Sequence, residues 1–206
     1  MAAPITHIVF ADKVFNKFFS DKKRKDFFIG TVFSDIRYLG AIDRKSTHFK
    51  GVKIDDLKNE DSFLAGLKFH SLVDEVRVSF IRSKNIYSLR PDSEYKTVAL
   101  KVVEDELYYD KISHWNEIID FFNEVLSEEL SFGIKKKDIT RWHRLLQGYF
   151  SKKPDEKSNR TFGAGSGFSK DAQDEINNLV NQMKSSEEIE RIIEEFYNNF
   201  EELLKN

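Results

Sequence analysis

Apolar residues recur three and four positions apart along most of the chain, the spacing of helices that bury one face. Ile8, Ala11, Val14, Phe15, Phe18 and Phe19 form the first such stripe and predict a helix over 6–19. A second helix is expected over 23–32, followed by an irregular stretch holding Ser34-Asp35 and Thr47-His48. Phe63, Leu67, His70, Asp74 and Ile81 lie near one face of a long helix predicted over 61–82. Further helices are expected over 93–111, with Ser93 as its cap and Pro91 just ahead, over 113–130 with Ser113 as cap, and over 138–150.

The pattern breaks over 153–170, where Pro154 and the run Gly163-Ala164-Gly165-Ser166-Gly167 read as a Gly-rich loop or linker. No Lys-Ser or Lys-Thr follows Gly167 and no strand precedes it, so the run is not a phosphate-binding loop of the P-loop kind. Residues 171–204 are acidic and helical again, and Ser185-Ser186-Glu187-Glu188 reads as a capping box that opens the last helix. The apolar stripe of that helix, from Ile189 through Phe196 to Leu204, packs into the core or forms the seam of a homodimer. The expected organisation is a helical domain over 1–152, the Gly-rich segment over 153–170, and acidic C-terminal helices over 171–206 packed on the same domain or on a partner. The fold class is all-α, a multi-helix bundle with extra helices at its C-terminal end.

Composition sharpens this picture in three places. Only three Pro and nine Gly in 206 residues suit long helices, and 19 Phe predict a core rich in aromatic rings. A formal net charge of −2 offers no basic face, and the clusters Lys22–Lys25 and Lys135–Lys137 read as solvated helix ends, so a nucleic-acid partner is not expected. Cysteine is absent, which removes disulfides and thiolate metal ligands. The first residues carry no basic segment followed by an apolar run, so no signal peptide is expected and the chain reads as cytoplasmic. No stretch approaches the roughly 18 apolar residues of a membrane span.

The candidate chemistry lies in the first third of the chain. His70 and Asp74, four apart on a predicted helix, stack on one face about one turn from each other, within reach of a single ion. Gly66, one turn earlier on that face, leaves room for another backbone or an ion. Asp35 falls at a helix-to-loop transition, and His48 stands between Thr47 and Phe49. Asp35, His48, His70 and Asp74 together offer two imidazoles and two carboxylates, a suitable set for Zn, Mn or Fe in a hydrolytic centre. The plainer reading makes His48 a turn cap, His7 a helix N-terminal residue, His114 a structural residue at a helix start, and His143 surface or amphipathic filler.

Gly30-x4-Asp35-Ile36, then Thr47-His48-Phe49, then Gly66-x3-His70-x3-Asp74, with His7 early in the first helix, resembles the bacterial zinc-dependent phospholipase C family over about residues 5–80. The resemblance implies an all-α bundle of that type. It implies one zinc on Asp35, His48, His70 and Asp74, and a second served by His7 and Asp74. Phe80 stands where members with a third zinc carry a further His, and His114 is followed by Ile118 where those members have His-x3-Glu. One or two metal ions, zinc or else Mn or Fe, are therefore expected.

The function this implies is hydrolysis of a phosphodiester, including a phospholipid, by water activated at the metal, with Asp35 as general base and Arg37 or Lys68 as a phosphate contact. A non-catalytic relative that keeps a metal and binds a partner is the alternative. Another helical phosphohydrolase, of the HD or acyl-carrier-protein phosphodiesterase kind, comes third. The HD kind is disfavoured because the chain has no adjacent His-Asp pair.

Overall fold

The computed structural model describes residues 3–89 and 92–205. Among them are ten α-helices and no strand. The first three helices carry most of the residues of interest: α1 (Pro4–Phe18), α2 (Arg24–Phe33) and α3 (Ser62–Ser83). Between α2 and α3 the chain makes three short 3₁₀ turns, Ser34–Leu39, Arg44–Ser46 and Ile54–Leu57. Then come α4 (Lys96–Tyr108), α5 (Trp115–Phe121), α6 (Ser127–Ser131) and α7 (Lys136–Phe150). The chain closes with α8 (Glu156–Gly165), α9 (Lys170–Lys184) and α10 (Glu187–Leu203). No described helix is long and apolar enough to cross a membrane.

The closest packing is between α2 and α3, and two glycines make it possible. A Cβ on Gly30 would overlap the carbonyl oxygen of Phe63, and one on Gly66 would overlap the carbonyl of Phe27. The two backbones therefore meet directly, each glycine seated on the other helix. Around this crossing the aromatic core assembles. Phe27 packs on Phe19 and Phe69 with ring centroids 4.5 and 5.5 Å apart, and Phe10 packs on Phe200 at 4.1 Å.

Helix α1 has no side-chain cap of its own at Ala3. Its first N–H groups are taken instead by Asp105 of α4, whose carboxylate accepts from the Ile5 and Thr6 amides at 3.3 and 2.7 Å and from the Thr6 hydroxyl at 2.7 Å. Orphan donors at a helix start are thus satisfied from about 100 residues away in sequence. Beside it, Arg77 of α3 and Glu104 of α4 form a buried pair at 2.7 Å.

Four sequence expectations are corrected. The Gly-rich segment is not a loop: most of it is α8, started by a reciprocal cap in which Asp155 accepts from the Ser158 amide and Ser158 Oγ accepts from the Asp155 amide, both at 2.8 Å. Gly165 lies against Leu145 of α7, where a Cβ would overlap a methyl, and Gly167 ends the segment with a φ of 89°. The single helix expected over 113–130 is two, because Glu129 turns inward to accept from the Leu126 amide and to meet His143 at 2.8 Å. That pairing also corrects His143, which is buried rather than surface filler. Ser93 is not the α4 cap residue; Tyr95 holds that place, and Ser93 Oγ accepts from its amide at 3.1 Å. Pro91 lies outside the described residues.

Helices α9 and α10 are separate, and Ser186 caps α10 by accepting from the Ile189 amide. The stripe Ile189, Ile192, Ile193, Phe196 and Phe200 is buried within the chain itself.

The glycine contact makes a direct prediction. Gly66→Ala should lose at least about 2 kcal/mol of stability in urea denaturation, because backbone must move to admit a methyl. Gly148→Ala in α7, where nothing lies within 4 Å, should gain about 0.5–1 kcal/mol from helix propensity alone.

Candidate metal centre

Five side chains from four chain segments converge beneath the α2–α3 crossing. His7 comes from the first turn of α1, fixed by the Asp105 cap one residue away. Asp35 is the second residue of the 3₁₀ turn that continues α2. His48 follows the turn Arg44–Ser46. His70 and Asp74 lie one turn apart on α3.

The segment bearing His48 is irregular, yet it is tied on both sides. Ser34 Oγ donates to the Thr47 carbonyl at 3.0 Å, and Thr47 Oγ1 donates back to the Ser34 carbonyl at 3.4 Å. On the other side the Phe49 amide donates to Ser71 Oγ of α3 at 3.0 Å. Asp35 and His48 are therefore held together, and both are held against α3.

Two overlapping triads result. His7, His70 and Asp74 each offer a ligand atom within 4.8 Å of the others, and so do Asp35, His48 and His70. His70 belongs to both. The resemblance implies a different division, in which Asp74 is the shared member. In the folded chain Asp74 groups with His7, at 3.5 Å between Nε2 and Oδ1, and lies 3.7 Å from His70 Nε2. The His7 and His70 rings stack at 3.8 Å, and His48 meets His70 edge-on at 5.0 Å.

The hydrogen bonds at the rim decide which atoms face inward. His70 Nδ1 sits 2.9 Å from the Thr31 carbonyl oxygen. A carbonyl can only accept, so Nδ1 carries the proton and Nε2 presents its lone pair to the cluster. His48 Nδ1 contacts Thr47 Oγ1 at 3.1 Å, which turns its Nε2 the same way. Three of the five residues, His7, Asp35 and His70, are at most 2% exposed. Even so, His7 Nδ1, Asp35 Oδ1, His48 Nε2 and His70 Nε2 are buried with no hydrogen-bond partner. Buried polar atoms are nearly always satisfied, and a convergent set of unsatisfied ones marks a place where a partner of another kind belongs.

Electrostatics fit a cation. Burial drives the His70 imidazole well below its ordinary value, with the neighbouring His7 adding to the effect. Burial likewise lowers His48 to about 4. Burial also raises the Asp35 carboxyl, the main influence on it. For Asp74 burial pushes upward too, but the adjoining His7 and His70 outweigh it and hold the carboxyl well below the usual range. Neutral His48 and His70 beside an ionised Asp74 are the protonation states that metal ligands need. Each triad supplies two nitrogens and one oxygen, a donor set suited to zinc and open to Mn or Fe.

The other residues singled out in the sequence lie elsewhere. Phe80 packs on Phe196 at 5.1 Å and belongs to the core. His114 contacts Asp12 at 3.1 Å on the outer side of α1. Lys68 pairs with Glu60, whereas Arg37 Nη2 lies 3.5 Å from Asp35 Oδ1 and stacks over the Tyr38 ring. Two residues not singled out in the sequence also matter. Asp105 positions His7 through the α1 start, and Lys101 shares a cavity with Asp35. Asp105 follows Glu104 in an acidic stretch and carries no local signal of its role. An uncompensated Lys on the buried face of a helix was the one available hint for Lys101.

No protein-family model, curated protein or solved structure matches the chain. The site is therefore read from its own geometry.

The imidazoles make the metal-free protein sensitive to acid. Folded His48 titrates near 4 and an unfolded His near 6.5, so below 6.5 the unfolded chain binds the extra proton. Stability present above 6.5 should fall as the pH drops toward about 4, with His70 adding to the loss in the same direction. In chelator-treated protein the urea-derived stability should drop by at least about 1 kcal/mol between pH 7 and pH 5, and His48→Ala should flatten that slope.

Proposed function

We propose that the cluster is a divalent metal centre, of one or two zinc ions, and that the protein is a metal-dependent hydrolase of phosphodiesters. The observation that carries the metal is the convergence of buried imidazole nitrogens and a carboxylate oxygen that have no hydrogen-bond partner. His70 is the residue such a centre depends on most, since it belongs to both triads, and its one Nε2 lone pair serves a single ion at a time, which leaves His7 and Asp74 for any second ion. Mn or Fe would suit the same donors.

A divalent cation there would polarise a phosphoryl oxygen and lower the pKa of a water toward neutrality. The chain's own groups supply the rest. Asp35, whose proton affinity is raised by burial, is suited to take the proton from the attacking water with whichever oxygen is not engaged by metal. Arg37, 3.5 Å from that carboxylate, steadies its orientation and places positive charge beside the reacting phosphate. The Thr31 carbonyl keeps His70 in the tautomer that offers Nε2.

One observation favours a second reading, in which the metal is structural only. Phe80 is core residue against Phe196, so the further ligand that the family resemblance implies at this position is missing. In that case the ion would hold α1, α3 and the His48 segment together and the chain would act by binding a partner.

Metal analysis and a generic phosphodiester separate these readings. Purified protein should contain one or two equivalents of zinc, manganese or iron, and His70→Ala should remove most of it. Metal-loaded protein should hydrolyse bis-p-nitrophenyl phosphate, and Asp35→Asn should reduce the rate by about 10²-fold or more. Metal without hydrolysis would select the structural reading. Protein whose thermal stability ignores chelators and which takes up no metal would refute both.

A further inference from the structure

A cavity of about 80 Å³ opens beside Asp35, between the 3₁₀ turn Ser34–Leu39 and helices α4, α7, α8 and α9. Its walls are largely apolar, formed by Val98, Val102, Phe162, Phe168 and Ile176. Polar residues interrupt them, among them Asp35, Lys101, Asn159 and Ser166, with Gln173 and Asn177 on the α9 side.

Lys101 is the anomaly. It is only 9% exposed, and among the described residues its ammonium makes no hydrogen bond or ion pair. The neighbouring acids of α4 are all engaged elsewhere. Glu104 holds Arg77, Asp105 holds the start of α1, and Glu106 holds Lys184 and the Asn159 amide. Burial disfavours the charged ammonium, and the Asp35 carboxylate on the same cavity is the largest opposing influence. Asn159 Oδ1 and Ser166 Oγ are also buried and unpartnered. The Lys101 ammonium, Asn159 Oδ1 and Ser166 Oγ, none of them hydrogen-bonded among the described residues, thus line one largely apolar chamber, and the chamber ends at Asp35 of the metal cluster.

We infer that this cavity binds the organic part of a small anionic phosphoester. The anion lies between Lys101 and the Asp35 end of the cluster. A short apolar group fills the chamber, and a hydroxyl or N–H on it donates to Asn159 or Ser166. The inference rests on the metal-centre reading for the direction in which the ester points, and on the cavity alone for its size and charge. At roughly 15 Å³ for each water-sized group, the chamber has room for about five non-hydrogen atoms. It therefore selects a substrate with a short side group, and a long acyl chain has no place inside it.

Alkylphosphonates test this, because they present the anion and the chain but cannot be hydrolysed as esters. Calorimetric titration of zinc-loaded protein should show affinity rising from methyl- to butylphosphonate by about fourfold per methylene, with octylphosphonate no tighter than butyl. Lys101→Met should weaken every member by about tenfold. Val98→Phe, which fills the chamber and leaves the charge in place, should abolish the dependence on chain length while methylphosphonate still binds. It also serves if the Lys101 variant does not fold. Affinity that is flat from methyl to butyl, that climbs on through octyl, or that is indifferent to Lys101→Met would overturn the inference.

Zinc content is a separate readout. If the protein takes up no zinc, the metal centre fails, and the same series on the metal-free protein judges the cavity. Binding that still depends on Lys101 and on chain length would sustain it, and binding that depends on neither would overturn it.

Discussion

Direct backbone contact between α2 and α3 is the constraint on which the rest of the structure depends. Gly30 and Gly66 each lie on a carbonyl of the opposite helix, so the interhelical distance is set by main chain instead of by side chains that could repack. This closeness brings the end of α2 against the middle of α3. Asp35, just past α2, then reaches His70, and the Thr31 carbonyl on the last turns of α2 can accept from His70 Nδ1. A wider crossing would break that hydrogen bond and free the imidazole to rotate. The aromatic core around Phe19, Phe27 and Phe69 holds the two helices in that position.

The second requirement is that many charged groups be buried next to one another. The fold meets it by giving many of them a specific partner: Arg77 has Glu104, His143 has Glu129, and Asp105 has the first amides of α1. Against that background most of the buried polar atoms without a hydrogen-bond partner among the described residues fall in two adjoining places, the histidine–aspartate cluster and the cavity lined by Lys101. Selection for stability alone would have paired or removed such groups, since each costs free energy when buried without a partner. Their juxtaposition is the physical argument for treating cluster and cavity as two parts of one site.

Much of the site was legible in the sequence. His70 and Asp74 could be placed on one helical face from their spacing, and Gly66 on the same face announced a close approach, which proved to be the Phe27 carbonyl. The all-α class and the first three helices followed from the apolar period and from the scarcity of Pro and Gly. Elsewhere a local signal is overruled by a tertiary contact. The glycines of 163–167 look like a loop, but α8 forms because Asp155 and Ser158 cap each other and Gly165 fits against Leu145. His143 looks amphipathic until Glu129 is drawn inward to meet it.

By itself, then, the sequence determined most of the helices and the inventory of candidate ligand atoms, because both depend on spacing within one segment and on side-chain type. It could not determine how the five residues divide. His70 became the shared member only when α1 was fixed by a carboxylate some 100 residues away and the His48 segment was tied to both Ser34 and Ser71. Nor could it show that Lys101 would line the cavity beside Asp35 while the acids of its own helix took other partners. Both facts depend on how distant segments pack and on which groups each partner has already satisfied, and no periodicity along the chain encodes that.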